Sequence, residues 1–380
     1  MKEIKKIDNT VALRREIHQY PELSGQEKKT NALVQRELNR LGIEFKSGYS
    51  TYGIVARIKG LRPTSRTVAL RADMDALAVT EDTGLPYTSK QKGVMHACGH
   101  DVHTAVLLGA AELLQLSHSK WEGTVLLVFQ PSEEKYGGGA DVMLKEKALN
   151  AFGSRLPERM YALHVAPELA AGTFGFKEGQ YMASTDEIYI TVSGKGGHAA
   201  LPKETTNTVL AAAKILVELQ KIVSHKKNAI LAFGRVIADG QTNVIPDSVE
   251  IAGTLRTFDE KFRKEAHIEI ARTAKTVALS LGAKAEVRIA HGYPVLLNDA
   301  GATQRARTLA EKLVGKSRVK DLDLRTTSED FAFFAQKIPS CFFRLGTGKS
   351  KGGLHSPHFT IDERAIATGV KIMTLLGMGG

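Results

Sequence analysis

The chain has 380 residues, 43% of them hydrophobic and 24% charged, a balance that excludes a disordered or fibrous protein and leaves room for two compact domains. A net charge of +11 raises the question of nucleic acid, but stretches such as RKEAHIEIARTAK and VKDLDLR mix basic residues with acids instead of gathering them beside aromatic platforms. No apolar run reaches the roughly 18–20 residues of a membrane helix, so neither nucleic acid nor a membrane is an expected partner.

The start, MKEIKKIDNT, is charged with no apolar stretch behind it, which does not read as a secretory signal. Cys98 and Cys341 are the two cysteines, too few for a disulfide framework, and a cytoplasmic protein is expected. Residues 7 to 41 read as two helices parted by YPELSGQE, where Pro21 and Gly25 punctuate the chain and Ser24 is a candidate cap. GIVARIKG and TVALRAD follow as short strands around the turn LRPTSR. TAVLLGAAELLQL has helical apolar spacing, and TVLLVFQ, MYALHVA and GTFGFKEG read as strands. The first two of these are nearly all apolar, as in a strand covered on both faces. Strands alternating with helices predict an α/β layered domain.

From residue 185 to 292 the predicted order is β-α-β-β-α-β, the split βαβ or ferredoxin-like arrangement, on DEIYITVSG, NTVLAAAKILVELQKIVS, AILAFGRVIA, SVEIAGTLRTF, EKFRKEAHIEIARTAKTVALSLG and KAEVRIA. The remainder, with a helix around GATQRARTLAEKLVG, a strand CFFRLG and a last helix from DERAIATG, returns to the first domain. Residues 1–184 and 293–380 are thus expected to form one discontinuous domain and 185–292 an insertion in it.

The chemistry concentrates in a few short stretches. MHACGHDVHT, residues 95 to 104, carries Cys98 and His100 two positions apart. On an extended segment they would share a face, and a thiolate with an imidazole suits zinc and its neighbours, although a lone Cys-x-His is more often structural. Asp101 and His103 are candidate partners that would orient the ligands. In VLLVFQPSEE, Pro131 ends a strand and Glu133 and Glu134 follow. Such a pair is ordinarily a charged loop, but one carboxylate could bind a metal while the other takes a proton from water. His164 closes MYALHVA, and His355 sits in the glycine-rich GGLHSPHF. With Cys98, His100 and Glu134 these make five donors on one predicted rim of one sheet, which suits two metal ions with a bridging group better than one closed tetrahedral site.

RADMDAL, MHACGHDVHTA, FQPSEE, GKGGHAA, NVIPD, GTLRTF and SEDFA, in that order, resemble the dinuclear metallo-amidohydrolases, a group with N-acyl-amino-acid hydrolases, hippurate hydrolase, indole-acetyl-amino-acid hydrolases and N-acetyldiaminopimelate deacetylases. It is related to the aminoacylases and metal carboxypeptidases. The resemblance runs from LRREIHQYPELS to HSPHFTIDE and implies a metallo-exopeptidase-like catalytic domain with an inserted lid and dimerisation domain.

It further implies two divalent ions (Zn, Mn, Ni or Co) held by Cys98, His100, Glu134, His164 and His355, with Cys98 bridging. Glu133 would be the general base and then the acid, and Asp73 an outer aspartate that steadies a ligand. Related carboxypeptidases have a metal-binding histidine where this chain has Arg71, so the cysteine-using ligand set is implied. His198 would donate to the developing oxyanion, while Asn243 and Arg256 would hold the substrate's α-carboxylate. The expected substrate is a small N-acyl-L-amino acid, the expected assembly a homodimer or higher homo-oligomer. A dipeptidase or carboxypeptidase on the same site is the alternative, and a silent metal-binding protein or a Cys98 thiol amidase are remoter ones. Met182, in GQYMAS, is a candidate for the acyl pocket or for the core.

Overall fold

Val-, Ile- and Leu-rich strands alternate with helices in the first half of the chain, and the computed structural model, which describes residues 2–153 and 155–379 with residues 2–8 as backbone only, folds them into layers. Helices α1 (Lys2–Gln19) and α2 (Lys28–Arg40) lead into strands β1 (Glu44–Tyr49), β2 (Gly53–Lys59) and β3 (Thr67–Asp73). Next come α3 (His100–Leu116), β4 (Thr124–Gln130), α4 (Gly139–Lys145), β5 (Arg159–Ala166), β6 (Phe174–Phe176) and β7 (Gly179–Met182). Then follow β8 (Asp186–Ser193), β9 (Gly197–His198), α5 (Thr208–Val223), β10 (Ile230–Ile237), β11 (Val244–Ile245), β12 (Ser248–Arg256), α6 (Glu260–Ser280) and β13 (Lys284–His291). The chain ends through β14 (Leu296–Asn298), α7 (Ala300–Val314), β15 (Val319–Asp321), α8 (Ala332–Ala335), β16 (Ser340–Gly346) and α9 (Arg364–Met378).

Two compact units result. One takes the chain up to Tyr181, Leu296–Asp323 and the chain from Glu329; the other takes Met182–Val295 and Leu324–Ser328. The short segment 324–328 was not anticipated, because backbone pairing attaches it: the Ala183 N–H donates to the carbonyls of Arg325 (3.0 Å) and Thr327 (3.1 Å). No side-chain pattern announces such a contact.

The first unit is built on an eight-stranded mixed sheet in the order β1-β2-β4-β3-β5-β16-β6-β15. Within it β4, β3, β5 and β16 run parallel, so their carboxyl ends share one rim. Every residue of β4 and β16 is buried, as their apolar sequences require. Helix α3 is buried from His100 through Ala111 and packs against α1 and α9. Gly109 permits that approach, since a Cβ there would come within 2.8 Å of both Thr10 Oγ1 and Val370 Cγ2. The second unit has a four-stranded antiparallel sheet, β10-β12-β8-β13, with α5 and α6 packed in one apolar core against it.

Because α3 carries the Cys98–His100 turn at its head, its packing underlies the site. Leu107 is fully buried in that helix. Leu107→Ala is expected to cost about 2–5 kcal/mol, read as a lower urea midpoint for unfolding.

Candidate metal centre

Three strand ends and one helix start deliver the predicted donors. Cys98 and His100 do not lie on an extended segment as expected. Cys98 is in a turn, Gly99 caps the helix at φ 81°, and His100 is the first residue of α3. Glycine is required there twice over, by the left-handed backbone and because a Cβ would stand 2.5 Å from Val165 Cγ2. Glu133 and Glu134 follow β4 after Ser132, which is itself left-handed at φ 59°. His164 is near the end of β5. His355, also left-handed at φ 65°, lies on the turn after β16, where its N–H donates to the Ala97 carbonyl (2.8 Å).

The donor atoms converge in two triads. Cys98, His100 and His164 place their ligand atoms within 4.8 Å of one another, and so do Cys98, Glu134 and His355. Cys98 belongs to both. Its Sγ is 3.4 Å from His164 Nε2, and His355 Nε2 is 3.4 Å from Glu134 Oε1. His100, Glu133 and Glu134 form a further overlapping group.

Hydrogen bonds fix which nitrogen of each ring is available. His164 donates from Nδ1 to the Val165 carbonyl (2.8 Å), leaving Nε2 with its lone pair toward Cys98. His100 donates from Nδ1 to Asp75 Oδ1 (3.2 Å), and its buried Nε2 has no hydrogen-bond partner. Glu134 Oε1 is also buried, and apart from His355 Nε2 at 3.4 Å it meets no hydrogen-bond partner. Buried polar atoms are rarely left so, and two aimed into one spot beside a thiol and two further imidazoles fit a cation.

Electrostatics agree. His355 is pushed up to about 10 by its bonds to Cys98 and Glu134, so its surroundings favour positive charge. Burial resists charging His100, but Asp73 and Cys98 outweigh it and hold the ring well above the usual histidine range. Burial, then Glu329, Glu134 and Asp330, push Glu133 well above the ordinary carboxyl range. His164 goes the other way, held well down by burial and by Arg344.

The outer residues differ from expectation. Asp73 receives His103 Nδ1 (2.6 Å) and Arg71 Nη1 (2.7 Å), and its Oδ2 is 3.6 Å from His100 Nε2. The carboxylate that takes the Nδ1 proton of His100 is Asp75, which also accepts the Glu134 N–H (2.9 Å) and the Ser24 hydroxyl (2.6 Å). His103 is committed at both nitrogens, since the Val165 N–H donates to its Nε2 (2.9 Å). Asp101 turns away to Arg14 Nε (2.7 Å) and His18 Nδ1 (2.8 Å), tying the head of α3 to α1. Arg71 is buried, and its guanidinium reaches Gln130, Asp73, Glu329 and Asp330 at 2.7–3.0 Å. Asp75 stood in the quoted RADMDAL, two residues past Asp73, and that spacing was the available signal.

The other predicted residues belong to the second unit. His198 is exposed and pairs with Val244 in the β9–β11 ladder, with its Nδ1 accepting the Ala200 N–H (3.1 Å). The Asn243 carbonyl accepts the Ala199 N–H (2.9 Å), so these two lie side by side. Arg256 donates to the Thr326 carbonyl (3.1 Å). Met182 is buried, 3% exposed, which answers its two readings in favour of the core. A separate triad, Asp186, His267 and His291, also occurs in this unit. There Arg263 already grips Asp186 with two bonds (2.6 and 2.7 Å), so its charge is met within the protein.

A sequence profile of peptidase family M20/M25/M40 matches residues 69–378. The chain belongs to that family. An N-acetyl-L-cysteine deacetylase of Bacillus subtilis is 40% identical over 360 residues, covering 94% of this chain and 84% of its own. A thermostable carboxypeptidase of Saccharolobus solfataricus is 35% identical, with 98% and 95% covered. The crystal structure of the Bacillus subtilis YXEP protein, described as a dinuclear metal-binding peptidase of the M20 family, superposes with a TM-score of 0.86 at 34% identity, covering 99% of both chains. As an M20 member the chain is a hydrolase of amide bonds.

Gly99 is where backbone and donors meet. Gly99→Ala is expected to cost about 1–2 kcal/mol from the left-handed backbone alone. Contact with Val165 would further shift Cys98 against His100, measurable as weaker uptake of added Zn or Mn by calorimetry.

Proposed function

We propose that the protein is a metal-dependent amidohydrolase that cleaves N-acyl-L-amino acids, of the N-acetyl or benzoyl kind, to a carboxylic acid and a free amino acid. The observation that carries this reading is the pair of donor triads sharing Cys98, with the buried carboxyl of Glu133 beside them. Cys98, His100 and His164 would hold one ion and Cys98, Glu134 and His355 the other; one thiolate, three imidazoles and a carboxylate suit borderline divalent ions such as Zn, Mn, Ni or Co. When bound, such ions supply Lewis-acid polarisation of the amide carbonyl and an acidified water.

The chain's own residues do the rest. Glu133 takes the proton of the attacking water on its carboxylate and hands it to the departing nitrogen. Burial beside Glu329, Glu134 and Asp330 raises its proton affinity, as a group with both tasks needs. Asp75 and the Val165 carbonyl keep His100 and His164 in the tautomers that present Nε2. His198 donates to the oxyanion, and Arg256, with Asn243, holds the substrate carboxylate. Asp73 contributes at one remove, through His103 and Arg71.

A homodimer in the cytoplasm completes the proposal. Two free, buried cysteines suit a reducing compartment, and among the described residues no helix is long and apolar enough to cross a membrane. The relationship to a carboxypeptidase favours a second reading, peptide cleavage at the same site. A thiol amidase is disfavoured because burial beside Glu134 pushes the Cys98 thiol up, opposite to what a nucleophilic thiolate needs.

Glu133→Gln is expected to keep the metal content and lose about 10²–10⁴-fold in turnover, since it removes proton transfer and leaves every donor. Near-normal rates would show that Glu133 is not the base. Chelation should abolish hydrolysis and re-addition of Mn or Zn restore it, whereas a thiol nucleophile would survive chelation. Rates on N-acetyl, benzoyl and dipeptide substrates separate the acylase from the peptidase.

A further inference from the structure

The loop between α1 and α2, YPELSGQE, reads in the sequence as a simple interruption. In the fold its residue Leu23 bridges Ala76 in parallel, and the Ala76 N–H donates to the Glu22 carbonyl (2.8 Å), so the loop runs beside the segment that follows β3. From there two side chains, three residues apart, reach toward the Glu133–Glu134 turn.

Glu27 is completely buried. Its Oε1 accepts the Ser132 N–H (2.8 Å), the Gly25 N–H (2.9 Å) and the Ser132 hydroxyl (3.3 Å). Its Oε2 is buried with no hydrogen-bond partner, and none of the donors to Oε1 is a cation. Burying a carboxylate on these terms is costly, and an apolar side chain would serve the core better. What the carboxylate does accomplish is to hold Ser132 in its left-handed backbone. The Ser132 carbonyl is held as well, by the Gly139 N–H (2.9 Å). Two residues on, the Glu134 N–H is held by Asp75 (2.9 Å), and Asp75 is in turn fixed by Ser24 (2.6 Å) from the same loop. Glu133 therefore lies between two peptide groups that both trace back to residues 24–27.

We infer that Glu27 is a positioning residue for the reaction: through the backbone of Ser132 it sets the direction in which Glu133 presents its carboxyl group. This rests on the proposed reading of Glu133 as the base. Ser24 performs the matching task for Glu134 through Asp75. The interhelical loop thus belongs to what positions the catalytic groups.

Three variants test this, assayed on the full metal-loaded protein with an N-acetyl amino acid. Glu27→Leu removes both the buried charge and the acceptor. It is expected to unfold no earlier in urea than the parent and to bind the same amount of metal, with KM within about threefold and kcat lower by about 10- to 100-fold, the scale of a misaligned catalytic group. Glu27→Gln keeps a carbonyl oxygen for the Ser132 N–H and is expected to restore kcat to within about threefold of the parent. Should Glu27→Leu not fold, Glu27→Asp replaces it. That variant keeps the charge and shortens the reach by one methylene, so it should turn over more slowly than Glu27→Gln.

Normal kcat in Glu27→Leu, a loss in the folded variant that only tracks lost metal, or Glu27→Asp outperforming Glu27→Gln would each overturn the inference. Glu133→Gln is run alongside. If it keeps near-normal turnover, the base assignment and this inference fall together; if it is inactive while Glu27→Leu is normal, only this inference falls. When both hold, adding Glu27→Leu to Glu133→Gln costs little more, as expected of two residues acting through one group.

Discussion

Everything at the centre depends on lone pairs being kept free on largely buried side chains. An imidazole offers a metal one nitrogen only if its proton is held on the other, and the fold arranges this separately for His100 and His164. The Val165 carbonyl takes the His164 proton and Asp75 takes that of His100. At His103 both nitrogens are consumed, by Asp73 and by the Val165 N–H, which removes that ring from the donor set although it lies in the same ten-residue motif. Val165 thus acts on two histidines at once, through its carbonyl and its N–H.

Charge balance leads in the same direction. Asp73, Asp75, Glu133, Glu329 and Asp330 are all buried near the centre, with Cys98 and the largely buried Glu134 beside them. Arg71 is the buried guanidinium among them, and it is shared by Asp73, Glu329 and Asp330. Carboxylates crowded this way repel one another unless positive charge is added or protons are retained. The rise at Glu133 is the second response; two divalent ions between the triads would be the first. The Arg71 cation offsets part of that negative charge through Asp73, Glu329 and Asp330.

The donors were legible in the sequence because cysteine, histidine and paired glutamates stand out against apolar strands, and because parallel strands put their carboxyl ends on one rim. The geometry joining Cys98 to His100 was not. Their two-residue spacing suggested an extended segment, yet a left-handed glycine followed at once by α3 brings them to adjacent donor positions. Spacing alone does not separate these, and the decisive contact, Gly99 against Val165, links residues far apart in the chain.

Supporting carboxylates were harder to see for a reason that reaches beyond this site. Glu22, Glu27 and Asp75 look in sequence like the acids of any solvated loop, and only tertiary structure reveals which of them are buried. Glu22 caps α2 through the N–H groups of Lys29 and Thr30, an ordinary helix-start role. Glu27, five residues on, is fully buried with an oxygen unsatisfied, a condition no cap requires. Stability argues for replacing such a residue; its presence beside a strained backbone and a buried carboxyl pair argues that position matters more there than energy. A buried oxygen left unsatisfied is what distinguishes Glu27 from Glu22, and residue type alone shows no such difference.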